Sequence, residues 1–363
     1  MAENRHNTDI GRHGKTFMDA KRHWKSYFTD IPARQWPDLI RRADSLFEPA
    51  GGGNANPHPC GETWGISGGT DRAYRVLCAL MSDLCKTRGT DSSAAHFPPH
   101  TARTGKTEPP WIIGIAGSVA VGKSTAARIL RSLLGSLPGR PKVRLIATDG
   151  FLLPNKELIA ADMMQKKGFP QSYRPHALTD FLAAAKSGAD DLQVPLYDHA
   201  VYDIVPNRRI KVGKADILII EGINVLQTQP FSANPAHLAQ DGAKSADPAD
   251  YLDFSLYLDA AEDDLCRWYL QRVFKLREMA RTDENSFFRR YLRMSEKETR
   301  EYALDVWNRI NLPNLRRYIA PTRARATAVL CKDSDHRVRE LFLRKSGPQI
   351  RPGKQEGKSA PAA

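Results

Sequence analysis

The chain reads as an α/β fold in three layers, a mostly parallel sheet with helices on both faces. Three observations predict it. Short apolar runs fit for buried strands lie at Trp111–Ala116, Val143–Ala147, Ile217–Ile220 and Phe254–Leu258, and they alternate with stretches of helical spacing. A glycine-bracketed loop joins the first run to the first of those helical stretches. Two acidic residues, Asp149 and Glu221, end apolar runs, where an open parallel sheet gathers its ligands.

Taken in chain order, Asp19–Phe28 and Trp36–Leu46 have the spacing of short amphipathic helices. Gly51–Pro59 is a loop by composition, and Ala73–Leu84 is apolar at helical spacing, as a packed helix requires. Thr87–Pro110 is rich in Gly, Pro, Ser, Thr and His and reads as a linker. Helices are further predicted at Ser124–Leu134, Leu178–Ala185, Glu262–Met279 and near Glu296–Ile310. The expected organisation is a divergent N-terminal helical segment and linker over residues 1–110, a nucleotide-binding domain over 111–345, and a basic tail over 346–363. The tail carries Gly, Pro, Ser and Lys without an aromatic residue and is expected to be disordered.

Composition narrows the possible functions. Of 363 residues 41% are hydrophobic, as in an ordinary soluble protein, and the formal net charge is +13. The excess is uneven: Arg272 to Arg325 holds fourteen Lys/Arg against seven Asp/Glu. Such a stretch suits a polyphosphate ligand as well as nucleic acid or a membrane surface. No nucleic-acid-binding signature accompanies it, so no nucleic-acid partner is expected. Five cysteines without a C-x-x-C pair argue against a disulfide framework and a zinc site, and for reduced thiols in the cytoplasm. The N-terminus opens no apolar run, and no stretch reaches the ~20 apolar residues of a membrane helix, so no membrane partner is expected.

Gly117-Ser118-Val119-Ala120-Val121-Gly122-Lys123-Ser124 matches G-x-x-x-x-G-K-[ST] without a mismatch. Gly117 and Gly122 permit backbone angles that a Cβ blocks, so the loop can turn its N–H groups inward around an anion. The following helix adds its positive end, and Thr125 stands in that first turn. Lys123 is placed to reach the β- and γ-phosphates, and the Ser124 hydroxyl to ligate Mg²⁺. ATP and Mg²⁺ are therefore expected, and with them a P-loop kinase form of the three-layer sandwich. Of the strand-end carboxylates, one would accept a substrate hydroxyl proton and the other would hold Mg²⁺, directly or through water. Gly150 and Gly222 follow them and let the chain turn sharply.

With Gly117–Ser124 followed by Thr148-Asp149-Gly150-Phe151, the chain resembles the bacterial type I pantothenate kinase family. Lys166–Tyr173 (KKGFPQSY), Val194–Pro206 (VPLYDHAVYDIVP) and Asp216–Gln227 (DILIIEGINVLQ) resemble further segments of that family, in its order. Trp268–Arg277, Thr282–Tyr291 and Trp307–Arg325 also line up. The resemblance implies transfer of the ATP γ-phosphate to the terminal hydroxyl of pantothenate, feedback inhibition by coenzyme A, and a homodimer. It implies Asp149 as general base, which leaves Glu221 as the strand-end carboxylate for the metal, Lys123 and Ser124 at phosphate and metal, and Arg272 at the transferring phosphate. It implies that Tyr197, His199, Tyr269 and Asn311 hold pantothenate, that Phe288 and Tyr291 wall its pocket, and that Lys123, Arg128, His199 and Arg272 grip coenzyme A. The resemblance also implies that His336 stands beside the adenine.

The first hundred residues match that family poorly. Gln271, Val273-Phe274 and Leu312-Pro313 depart from its usual residues, and Pro313 removes a backbone donor next to Asn311. Two other readings remain open on sequence: a related P-loop kinase resembling uridine kinase or phosphoribulokinase, and a non-catalytic nucleotide- or coenzyme A-binding regulator.

Overall fold

The computed structural model describes residues 24–47, 70–88, 109–174, 176–228 and 246–345. In chain order it runs through β1 (Phe28–Asp30), α1 (Trp36–Phe47), α2 (Thr70–Arg88), β2 (Trp111–Gly117), α3 (Lys123–Gly135), β3 (Val143–Ala147), α4 (Asn155–Ala160) and α5 (Ala177–Lys186). It continues through β4 (Gln193–Asp198), β5 (Asp203–Lys211), β6 (Ile217–Glu221), β7 (Phe254–Asp259), α6 (Glu262–Met279), α7 (Glu296–Val306), β8 (Ala328–Lys332) and β9 (Val338–Arg344).

Seven strands form one sheet in the order β1-β9-β8-β7-β2-β6-β3. The five from β8 to β3 pair in parallel, while β9 runs antiparallel to both β8 and β1. β2 lies at the centre of the five parallel strands with every residue buried, and β6 is buried throughout. Ile112, Ile113, Ile115, Ile217, Leu218, Ile219 and Ile220 have no exposed surface. Each such side chain contributes roughly 1.5–3 kcal/mol on leaving water. This is why these strands read as continuous apolar runs rather than as alternation. α3 packs on β2, β3 and β6, and α2 packs on α3.

The predicted α/β architecture and its parallel sheet are present. Predicted strand and helix positions agree to within a residue or two from Trp111 to Met279. Differences concentrate where local pattern is weak. Asp19–Phe28 is not a helix where it is described: Trp24–Tyr27 is a 3₁₀ turn and Phe28 begins β1. Long-range packing overrides local spacing there, because Trp24 meets Phe28 and Phe342 edge to face at 5.4 and 5.3 Å. The N-terminal segment thereby supplies an edge strand to the main sheet. α2 runs to Arg88, into the predicted linker, most of which lies outside the described residues, as do Gly51–Pro59 and the tail 346–363. The helix predicted over Glu296–Ile310 is α-helical to Val306 and widens into π turns at Trp307–Asn311 and Leu315–Ile319, flanking Leu312–Asn314.

Candidate active site

The site assembles at the carboxyl ends of the parallel strands. β2 ends on Gly117, and its loop reaches α3 through Ala120 at φ 64° and Gly122 at φ 92°. A Cβ on Gly117 would lie 2.6 Å from the Leu258 carbonyl of β7, so the loop needs glycine there to leave the sheet. Ser118 and Val121 are buried and Val119 and Ala120 half-buried, while Ser124 and Thr125 are exposed in the first turn of α3. Lys123 Nζ donates to the Ser118 carbonyl at 2.9 Å, closing the loop on itself. Burial holds the Lys123 ammonium below its ordinary pKa; Glu221 and Asp149 pull it back up and Arg272 adds to the lowering. These three charges therefore lie within electrostatic reach of one lysine.

Glu221, at the end of β6, accepts a hydrogen bond from Ser124 Oγ at 2.5 Å. The hydroxyl and carboxylate form a pair of hard oxygens beside the loop. Among the described residues no group of three or more His, Cys, Asp or Glu gathers as an all-protein metal cage. Mg²⁺ requires none, since it is held by one or two protein oxygens together with water and substrate phosphates. The pair fits that ion.

Asp149 follows β3, half-buried, with Oδ2 at 3.9 Å from His199 Nε2. His199 belongs to the turn between β4 and β5, a separate two-stranded sheet packed over the Asp149 turn. Gly150 is required at this approach, because a Cβ would lie 2.6 Å from the Pro195 carbonyl. Tyr197 meets His199 edge to face at 5.1 Å. Burial raises the Tyr197 and Tyr269 phenols well above their ordinary values, so both keep an O–H to donate.

Tyr269 and Arg272 sit three apart on α6, hence on one face. Arg272 is exposed, and among the described residues it makes no ion pair. Tyr269 hydrogen-bonds with Asn311, the last residue of the first π turn, and its ring lies 5.7 Å from Trp307. Phe288 and Tyr291 are buried in the 3₁₀ helix Phe287–Arg293 and stack at 6.0 Å. Phe288 meets Tyr202 at 6.2 Å. Arg128 lies exposed on α3. Of the departures noted in sequence, Gln271 and Pro313 are exposed and Val273 is buried, while Phe274 lies beneath Arg300 at 5.3 Å.

Two groups, Lys332 and Lys167, escape sequence reasoning, while His336 is singled out there only by the resemblance. Lys332, at the end of β8, donates to the Val121 carbonyl at 2.9 Å. His336 stacks on Trp268 at 3.9 Å. Lys167 is buried beneath Tyr202. None carries a spacing signal, because the chain distance to each partner is set by the sheet order; only the lysine within KKGFP stood inside a recognised segment.

Against known proteins, the phosphoribulokinase / uridine kinase family matches residues 112–285. A pantothenate kinase of Streptomyces coelicolor is 51% identical over 65% of this chain and 70% of its own. One of Cutibacterium acnes is 46% identical over 75% of this chain and 81% of its own. One of Rhizobium etli is 51% identical over 325 residues, 89% of this chain and 90% of its own. At that identity over nearly the whole length, with the phosphate loop and strand-end carboxylates in place, the chain belongs to the pantothenate kinase family.

Proposed function

We propose that this chain transfers the γ-phosphate of MgATP to the terminal hydroxyl of pantothenate, giving 4'-phosphopantothenate at the start of coenzyme A synthesis. The observation that carries this reading is the convergence of a complete phosphate loop, a strand-end carboxylate and a wall of aromatic and hydrogen-bonding side chains at one end of one sheet. The kinship with pantothenate kinases supplies the acceptor.

Phosphoryl transfer asks the protein chiefly for position and charge. The loop N–H groups and Lys123 hold the β- and γ-phosphates. Ser124 and Glu221 would hold Mg²⁺, which neutralises phosphate charge when bound. Asp149 Oδ2 takes the acceptor proton as the oxygen–phosphorus bond forms and the bond to the ADP oxygen breaks. Arg272, free of a carboxylate partner among the described residues, meets the charge spreading over the γ-oxygens, a role in which arginine contributes roughly 10³–10⁵ in rate. Tyr197, His199, Tyr269 and Asn311 hold pantothenate, with Phe288 and Tyr291 as its apolar wall. Coenzyme A, whose phosphates need the same loop, inhibits through Lys123, Arg128, His199 and Arg272. The active form is a homodimer and works in the cytoplasm.

A coupled ADP-release assay tests this with pantothenate, uridine and ribulose 5-phosphate as acceptors. Release with pantothenate alone, suppressed by coenzyme A and abolished by chelating Mg²⁺, is the expected result. Release with uridine or ribulose 5-phosphate instead would replace the acceptor, and silence with all three would favour a nucleotide-binding regulator.

A further inference from the structure

The turn between β4 and β5 carries His199 to Asp149, and its conformation is unfavourable in isolation. Tyr202, its last residue, has φ 60°. A bulky side chain in that region is strained and persists only where the surroundings over-determine it. The structure shows what does so. Lys167 Nζ donates to the Tyr202 carbonyl at 2.6 Å and to Asn155 Oδ1 at 2.6 Å. Asn155 Nδ2 donates to the same Tyr202 carbonyl at 3.1 Å, and Asn155 N donates to Asp203 Oδ1 at 2.9 Å. The ammonium lies 4.1 Å from the Tyr202 ring centroid and 5.1 Å from that of Tyr197. From the other side Tyr202 stacks on Phe287 at 4.7 Å, and Phe287 N donates to the Ala200 carbonyl at 2.8 Å.

Lys167 is 8% exposed. Burial drives its ammonium down to about 8 although Asp203 and Asp149 pull it upward. A buried cation without a full carboxylate partner is costly, and a methionine of similar length would fill the space without that cost. The hydrogen bonds of its ammonium all go to the turn and to the helix α4 that braces it. None goes to the phosphate loop, so its influence falls on the acceptor side of the site.

We propose that Lys167 is a positioning residue for the acceptor: it locks the β4–β5 turn through Tyr202, and so fixes Tyr197 and His199 against Asp149. This rests on the pantothenate kinase reading above. Freed from Lys167, Tyr202 relaxes out of the left-handed region and the turn loses its register over Asp149, while the phosphate loop stays as it is.

The test compares the full-length wild type with K167M and K167R in the ADP-release assay, with thermal melts on all three. Expected for K167M is a KM for pantothenate raised about tenfold or more, the scale of two lost charge-assisted hydrogen bonds, with KM for ATP within about twofold. Expected for K167R is recovery of part of that loss, because arginine keeps the charge and donors. Should K167M melt too early to assay, N155A carries the same prediction with a smaller increase, since it removes one brace of the Tyr202 carbonyl and one acceptor of the Lys167 ammonium but leaves that ammonium bonded to the carbonyl. A K167M or N155A enzyme with unchanged KM for pantothenate overturns the proposal, as do equal increases for both substrates. A wild type that releases no ADP with pantothenate overturns the acceptor assignment itself, and so is distinguished from a failure of Lys167 alone.

Discussion

Lys332 donates from the end of β8 to the Val121 carbonyl inside the phosphate loop at 2.9 Å, joining residues 211 positions apart. Its ammonium is buried and pushed down to about 8, with desolvation as the cause. A Cβ on Gly122 would lie 3.0 Å from Nζ, so glycine at that position leaves room for the lysine as well as for the turn.

K332M therefore loosens the loop: KM for ATP rises about tenfold, with KM for pantothenate little changed. The same residue has a signature in stability. Below pH 8 folded and unfolded chains both hold its proton, and the folded state bears the desolvation cost. Between about 8 and the ordinary 10.5 only the unfolded state holds it, so this contribution to stability rises with pH. From pH 7 to 9 the gain integrates to about 1.4 kcal/mol. Urea melts across that window show wild type gaining this much relative to K332M; parallel pH curves would place the lysine pKa elsewhere.

Asp149 is half-buried and faces the His199 turn. D149N preserves shape but exchanges one acceptor oxygen for a donor amide and cannot accept the proton. Turnover falls by at least ~10² while ATP binding, read by calorimetry, stays within about twofold. Undiminished turnover would remove Asp149 from the role of base.

Lys123 is shared between substrate and inhibitor in this reading. K123A weakens ATP and coenzyme A together, each by about tenfold or more, because a charge-assisted contact to phosphate is lost in both. Calorimetric titration of each ligand measures it. Coenzyme A binding at full strength would mean that inhibitor and nucleotide occupy separate loops.

Gly222 follows Glu221 where β6 turns past β3. A Cβ there would sit 1.8 Å from Thr148 Oγ1 and 2.8 Å from Thr148 Cβ. G222A forces β6 and β3 apart next to both carboxylates and costs about 1–3 kcal/mol, read as a lowered urea midpoint. An unshifted midpoint would show that Thr148 can give way.

The parallel core, the phosphate loop and the positions of Asp149 and Glu221 are legible in the chain alone. The reason is local: strands buried on both faces must be apolar throughout, and a phosphate loop needs its glycines, lysine and hydroxyl at fixed offsets. The rest depends on contacts between distant parts of the chain. β1 joins the sheet only because Trp24 and Phe28 find Phe342, far along the chain. Ser124 meets Glu221 because β6 lies beside β2, an adjacency fixed by strand order and invisible in spacing. Tyr202 in its left-handed conformation, Lys167 beneath it and Lys332 behind the phosphate loop depend on burial and on partners brought together from separate strands. No local propensity encodes them, since lysine and tyrosine on their own favour water and φ below zero.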